Sequence, residues 1–576
     1  MKPVLPPVSV ARYRPFLSRW DLLAILLVAG LLAFLGEASR HLGVPLADVT
    51  AAPISLDPSD LPEYAARTTL RMLAAMVLSL LFTFTYATLA AKSRRAEQLL
   101  IPLLDILQSV PILGFISVTV LWFLSLAPGR VLGAELAAVF AIFTSQARNM
   151  AFSFYQSLRT VPVELSEAAT TFRLSSWMRF WRLEVPFAMP ALVWNMMMSM
   201  SGGWFFVVAS EAISAGTVDI QLPGIGSYIA QAIAQRDLAA VGWAILAMAV
   251  VILIYDQLLF RPLVAWSSRF RFEQEAREPL PRSWVLTVLR RSRLIAATAA
   301  PLGRLWGLTY RPVRAGGLPS PAGSGARPGF ADRIWQVCLA LVLALAALRT
   351  VQFLGGGGLG IGDLVTALGL GCLTMARVLV LIVLASLVWV PLGVLIGLNP
   401  QVTRVVQPVA QFLAAFPANL MFPIAVWAIV SWRLDPDVWL SPLMILGTQW
   451  YILFNVVAGA SAFPRELRDV GTNLRLRGWL WWRRVALPGV LPFYLTGAIT
   501  ASGGSWNASI VAEAVSWGGT RLYAQGLGSY IAQATAAGDM HRVVLGIVVM
   551  SAFVLVINRV LWRPLYWYAE RRFRLA

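Results

Sequence analysis

The chain has 576 residues, 58% hydrophobic and only 13% charged, with a mean hydropathy of +0.70, and a composition this apolar excludes a soluble globular protein. Its net charge of +19, from 47 basic and 28 acidic residues, would suit nucleic acid if the basic residues shared one face. They do not, because they gather between apolar runs.

Apolar runs of about 17 to 25 residues, the length a helix needs to cross a bilayer, begin near Leu22, Leu70, Ile101, Leu136, Phe187, Leu238, Ile334, Val378, Val405, Leu440, Pro492 and Val543. They predict about six spans per half and about twelve in all, helical because a helix satisfies its own backbone hydrogen bonds in lipid. The fold class is therefore an all-α polytopic membrane protein. The basic clusters are Arg12, Arg14 and Arg19; Lys92, Arg94 and Arg95; the run from Arg261 to Arg333; and Arg571, Arg572 and Arg574. With the N-terminus inside, all of them fall on the cytoplasmic side, as the positive-inside rule requires. The charge is thus read as topological, and nucleic acid is not an expected partner. The first apolar run, rather short and preceded by basic residues, reads as an uncleaved helix, with a signal peptide as the alternative.

The chain repeats itself. Pro162 to Pro190 reads PVELSEAATTFRLSSWMRFWRLEVPFAMP and Pro464 to Pro492 reads PRELRDVGTNLRLRGWLWWRRVALPGVLP, in ungapped register 302 positions apart. GIGSYIAQA from Gly224 returns as GLGSYIAQA from Gly526, and Arg261-Pro262-Leu263 as Arg563-Pro564-Leu565. Arg71, Pro102 and Pro111 precede Arg377, Pro408 and Pro417 by 306, so a four-residue indel lies between the blocks. An even number of spans per copy gives both copies one orientation, related by an axis along the membrane normal. The expected organisation is a first repeat over 1–271, a cytoplasmic Gly/Pro/Arg-rich linker over 272–330 and a second repeat over 331–576. Within the linker, Trp284 to Leu294 reads as a short amphipathic stretch on the membrane surface. The Gly224 and Gly526 segments read as re-entrant or interfacial helices on the outer side, at a vestibule.

Catalytic chemistry has little to work with. The two histidines, His41 and His541, lie in opposite halves, and Cys338 and Cys372 sit in or beside apolar runs, giving neither a nucleophile set nor zinc ligands. The two lysines are Lys2 and Lys92, and Lys92 follows Ala90-Ala91 rather than the glycine of a phosphate-cradling GxxxxGK[ST] loop. The polar islands at Pro162 and Pro464 remain to be explained. Each has a carboxylate pair, Glu164/Glu167 and Glu466/Asp469, at i and i+3 near a proline-marked helix start, where negative charge suits the helix dipole. Each then ends in Leu183-x-Val185-Pro186 or Val485-x-Leu487-Pro488, where proline is expected to begin the next span. The expected shape is helix, turn, helix.

At these residues the chain resembles the inner-membrane permeases of binding-protein-dependent ABC importers, whose pattern is Glu-Ala-Ala, three residues, Gly, nine residues, Ile-x-Leu-Pro. Glu167-Ala168-Ala169 is intact and the second copy has Asp469-Val470-Gly471, with both prolines in place. The Gly-x-Gly-Ser-Tyr-Ile segments and Arg-Pro-Leu tails look most like the nitrate, sulfonate, taurine and bicarbonate branch. The resemblance covers nearly all of both halves except their first spans and the linker. It implies a type I importer fold in a bacterial inner membrane with both termini cytoplasmic, two separate ABC ATPase subunits that bind the ATP and Mg, no cofactor in this chain, and a periplasmic or lipid-anchored binding protein delivering a small anion. It also implies that Glu164, Glu167, Ala168, Ala169, Arg173 and Pro186, with Glu466, Asp469, Gly471, Arg475 and Pro488, form two coupling helices facing the ATPases. The family glycine is Arg173 and Arg475 here, which predicts a longer helix or a changed ATPase contact.

Within the spans, Trp204 and Glu211 match Trp506 and Glu513, and Arg71 matches Arg377. These six are candidates for the translocation path, since a carboxylate in a span is a functional candidate by default. Snorkelling, interface anchoring, or pairing of each glutamate with an arginine such as Arg71 or Arg377 is the alternative. An ATP-independent secondary transporter or channel is the alternative function; it predicts ionisable groups mid-span, whereas Asp105, Asp256, Glu211 and Glu513 fall near predicted span ends.

Overall fold

The computed structural model describes most of residues 20–30, 54–109, 119–215, 218–270, 283–292, 330–463 and 471–573, with scattered positions elsewhere. Among the described residues seven helices are long and apolar enough to cross a membrane: Pro58–Lys92, Val131–Arg159, Ser176–Glu211, Leu238–Phe270, Ile361–Leu398, Gly478–Ala512 and Met540–Arg572. Two bent pairs, Pro400–Ala415 with Ala418–Ser431 at 77° and Pro436–Leu446 with Gln449–Ser461 at 43°, raise the number to 9 if each is one span. The shorter apolar helices Trp20–Gly30 and Ala340–Gly356 fall on two more of the apolar runs. The run near Ile101 falls on the helix Arg94–Ser109, beyond which 110–118 lie outside the described residues. The sharper bend has a local cause: Phe416 precedes Pro417 and is extended, with ψ at 127°, as a residue before proline tends to be.

Among the described residues four π-helical turns interrupt the spans, at Phe180–Glu184, Asp256–Phe260, Trp482–Ala486 and Asn558–Trp562. Each ends two residues before a proline, respectively Pro186, Pro262, Pro488 and Pro564. Proline brings no N–H and crowds the carbonyl four residues back, and a wider i→i+5 turn accommodates both. The helix therefore begins near Ser176 or Gly478 and runs on through the proline, rather than starting a new span there.

After the long helix ending at Glu211 or Ala512, each repeat forms an antiparallel hairpin that hydropathy did not reveal. The first pairs Ala212–Ala215 with Val218–Gln221, from Ala212 opposite Gln221 to Ala215 opposite Val218. The second pairs Ala514–Trp517 with Thr520–Tyr523, from Ala514 opposite Tyr523 to Trp517 opposite Thr520. Gly518 and Gly519 make the second turn, with Gly518 at φ +59°, the backbone that a two-residue hairpin turn requires. The short helices Ile225–Gln235 and Leu527–Ala536 follow. The hairpins cross between repeats: the first touches the Leu527–Ala536 helix, the second touches Ile225–Gln235, and the Gly518 N–H donates to the Ile233 carbonyl at 2.8 Å.

The chain forms two compact units, one of 1–39, 161–190 and 255–317, the other of 40–160, 191–254 and 318–576. In the first, the amphipathic stretch of the linker is the helix Trp284–Arg291, capped by Ser283. The Ser292 hydroxyl donates to Asp21 at 2.8 Å, and the Arg291 guanidinium lies 5.4 Å from the Trp20 ring centroid. The second unit holds most of both repeats, with Trp204 and Trp506 among its largest fully buried side chains.

Candidate functional site

The first polar island is a helix, Val163–Thr171, with Pro162 at its N-cap. Glu164 and Glu167 are exposed on it, Ala169 is buried and Ala168 half-buried. The helix stops at Thr171 in a Schellman turn: the Leu174 N–H donates to the Ala169 carbonyl at 3.0 Å and the Arg173 N–H to the Thr170 carbonyl at 2.9 Å. Arg173 takes φ +50°, so an arginine adopts the left-handed conformation that glycine would adopt more cheaply. The helix is not lengthened by the loss of the family glycine; the turn survives it. The second island repeats this, with the Leu476 N–H donating to the Gly471 carbonyl at 2.9 Å and Arg475 at φ +50°. Glu466 and Asp469 lie outside the described residues. Arg179 ties the first island together, its Nη2 donating to Ser166 Oγ at 2.9 Å and its Nε to Glu184 at 3.1 Å. Large apolar groups stand exposed beside the polar ones: Val163, Phe172 and Trp177 in the first copy, Leu474 and Trp479 in the second. Pro186 and Pro488 lie half-buried on the helices beyond.

Four of the six path candidates form two matched polar locks. Arg71 donates through Nη1 to Glu211 at 2.7 Å, and through Nε and Nη2 to the two oxygens of Glu135, both at 2.6 Å. The Thr68 hydroxyl donates to Glu211 at 2.7 Å and accepts from the Ile225 N–H at 3.0 Å, while the Gly226 N–H donates to Glu211 at 2.6 Å. In the second repeat Arg377 donates to Glu513 at 3.3 Å and to Asp437 at 3.0 Å. The Thr374 hydroxyl donates to Glu513 at 2.9 Å, as does the Gly528 N–H at 2.8 Å, and the Leu527 N–H donates to Thr374 at 2.9 Å. Each glutamate thus anchors the start of the short helix after its hairpin. This explains the Gly-x-Gly: a Cβ on Gly224 or Gly526 would strike the glutamate carboxyl, and one on Gly226 or Gly528 the helix backbone carrying it. A buried carboxylate surrounded by an arginine, a hydroxyl and a backbone N–H is held in place. Trp204 and Trp506, each 1% exposed, are packed in the core.

A cavity of about 100 Å³ lies between the two repeats. Asn149 and Tyr451, Gly202 and Gly504, and Phe205 and Asn507 line it as pairs 302 positions apart, so it straddles the internal axis. Arg148, in the middle of the span Val131–Arg159, is the one charged residue of its described lining. None of the six path candidates belongs to that lining. Sequence reading missed Arg148, although a cation inside a span was itself a signal.

Two runs of matched residues, 83–261 and 389–562, correspond to the family described as "Binding-protein-dependent transport system inner membrane component". The chain belongs to that family, and carries its domain twice. It is similar to the bicarbonate transport system permease protein CmpB of Synechococcus elongatus, 28% identical over 176 residues, covering 31% of this chain and 60% of that protein. It is also similar to the nitrate import permease protein NrtB of Leptolyngbya laminosa, 26% identical over 185 residues, covering 32% and 63%. A glycine betaine/carnitine transport permease protein, GbuB of Listeria monocytogenes, is 25% identical over 188 residues, covering 32% and 61%. The chain thus spans about three fifths of the length of these curated relatives.

Proposed function

We propose that the chain is the membrane-spanning permease of an ATP-driven importer, two permease units fused into one, carrying a small anion such as bicarbonate or nitrate by alternating access. The observation that carries this is the duplicated island: in the first copy a helix with exposed carboxylates and a fixed Schellman turn, built into a chain of this family. Two separate ATPases, holding the ATP and Mg, dock on the two islands, and a solute-binding protein delivers the anion from outside. Exposed Phe172 and Trp177, and Trp479 in the second copy, supply apolar contact, and the glutamates supply charge for orientation. Both termini are cytoplasmic. The islands differ, Glu-Ala-Ala against Asp-Val-Gly, and the first makes the stronger ATPase contact.

The test is affinity purification of the tagged full chain from its native membrane, with ATP hydrolysis assayed on what co-purifies. A nucleotide-binding subunit is expected, and Glu167→Gln is expected to reduce its recovery more than Asp469→Asn does. Equal losses would refute the asymmetry. A chain that purifies alone and moves anion under an ion gradient without ATP would replace this reading with a secondary transporter.

A further inference from the structure

We propose that the cavity between the repeats is an anion-selective site in which Arg148 of the first repeat holds a small planar oxyanion, with Ser199, Asn149, Tyr451 and Asn507 as its neutral hydrogen-bonding wall. This deepens the permease reading and rests on it for the direction of transport, though not for binding itself.

Four observations converge. The cavity lies on the internal axis, since paired residues of both repeats line it, and a path shared by two repeats runs along that axis. Its described lining holds one cation, Arg148, and no carboxylate. In a low-dielectric pocket a single positive charge favours anions and repels cations. Ser199, a lining residue only 1% exposed, carries a buried hydroxyl that has no hydrogen-bond partner, and an unsatisfied donor beside the cavity is a standing cost that a bound acceptor within its reach removes. The volume, about 100 Å³, is large enough to admit an oxyanion of a few atoms with water beside it.

The guanidinium is suited to this ligand because its N–H fork meets two oxygens of a planar anion at once, which a lysine ammonium cannot do. The phenylalanines raise the competing case. Phe205, Phe206 and Phe416 also line the cavity, and aromatic faces alone would welcome a quaternary ammonium. Arg148 decides against it, because a second cation beside a guanidinium in an apolar pocket is repelled. The charge is also one-sided: the position 302 residues after Arg148 is Trp450, which is not part of the described lining. The anion therefore sits against the first repeat, with Tyr451 and Asn507 completing the wall from the second.

The test uses the full chain in lipid nanodiscs. Thermal unfolding is followed while sodium nitrate replaces sodium gluconate at constant ionic strength, and tetramethylammonium gluconate replaces it in a parallel series. Nitrate is expected to raise the unfolding midpoint saturably, and tetramethylammonium is expected to leave it unmoved. Arg148→Gln should weaken the apparent nitrate affinity about tenfold or more, as loss of a charge-assisted bidentate contact does. Arg148→Lys should weaken it less, and Ser199→Ala by a few-fold. A saturable response to tetramethylammonium, no saturable response to nitrate in the native chain, or the same nitrate affinity in Arg148→Gln would overturn the site. Should Arg148→Gln fail to fold, unchanged affinity in both Arg148→Lys and Ser199→Ala would overturn it equally. Co-purification of an ATPase with a chain that ignores nitrate would leave the permease reading standing and remove the anion site. A nitrate response that needs Arg148 in a chain without ATPase would do the reverse.

Discussion

Glu211 and Glu513 show how the same residue at matched places carries different weight. Both are buried, but Arg71 is 4% exposed and reaches Glu211 at 2.7 Å, whereas Arg377 is 16% exposed and reaches Glu513 at 3.3 Å. Arg71 also makes a two-pronged contact with Glu135, while Arg377 meets Asp437 through one nitrogen. Removing Glu211 leaves Arg71 paired with Glu135, but it takes a charged acceptor from the buried Thr68 hydroxyl and the Gly226 N–H as well as from Arg71 Nη1, and orphaned buried donors cost about 1–3 kcal/mol each, about 3–5 kcal/mol together. Glu211→Ala is therefore expected to destabilise the chain by about that amount, and Glu513→Ala by less, because Arg377 keeps more access to solvent. Thermal unfolding of both variants in nanodiscs checks the order, and a larger loss for Glu513→Ala would show that the first lock is not the stronger one. Sequence showed the candidates Glu211, Arg71 and their counterparts as matched pairs, and it raised ion pairing as an alternative. It could not show that they meet, because the partners are separated by 140 and 136 residues and only the packing of spans sets their distance.

At the scale of the element, two of the four proline-linked π turns, Phe180–Glu184 and Trp482–Ala486, lie within the islands, on the helices that run on as spans. A π turn inserts one residue's worth of helix, so everything on its island side is rotated by about 100° relative to an unbroken α-helix. Phe180–Glu184 thereby sets the rotational register of the Ser176–Arg179 turn on the helix that continues from Val185. Pro186→Ala restores an N–H and removes the ring's clash, allowing the turn to close to α geometry. The expected outcome is slower amide hydrogen exchange across Phe180–Glu184 together with, on the proposed function, reduced uptake of the anion. Unchanged exchange and uptake would show that proline is not what holds the π register. The four prolines were plain in the sequence, but the register they impose was not, since hydropathy reads the same through an α or a π turn. The hairpins were hidden for a similar reason. Their strands are four residues each, too short for alternation to stand out beside the spans, and Gly518-Gly519 was the one local signal. Arg173 was legible only as a departure: the family pattern located the turn, and the backbone shows that arginine occupies it at φ +50°.

At the scale of the molecule, the repeats are joined by more than the linker. The Gly518 N–H of the second repeat bonds the Ile233 carbonyl of the first, and the Asn419 amide donates to the Phe205 carbonyl at 3.1 Å. Residues of both repeats line the cavity, and each hairpin touches the short helix of the other repeat. Backbone groups buried at such a seam need these partners, because lipid supplies none. Fusion then serves mainly to raise the effective concentration of one half near the other, and the contacts themselves are built into each half. Residues 1–271 and 331–576, produced together as separate chains, are accordingly expected to co-purify and to retain the nitrate-dependent rise in unfolding midpoint. The cavity they would rebuild takes Arg148 from one chain and Tyr451 from the other. Replacing Gly518 with a larger residue should weaken the pairing, because a Cβ there collides with the Arg236 side chain and the position requires a positive φ. If the halves are recovered separately, the linker rather than the crossed hairpins holds the two repeats together.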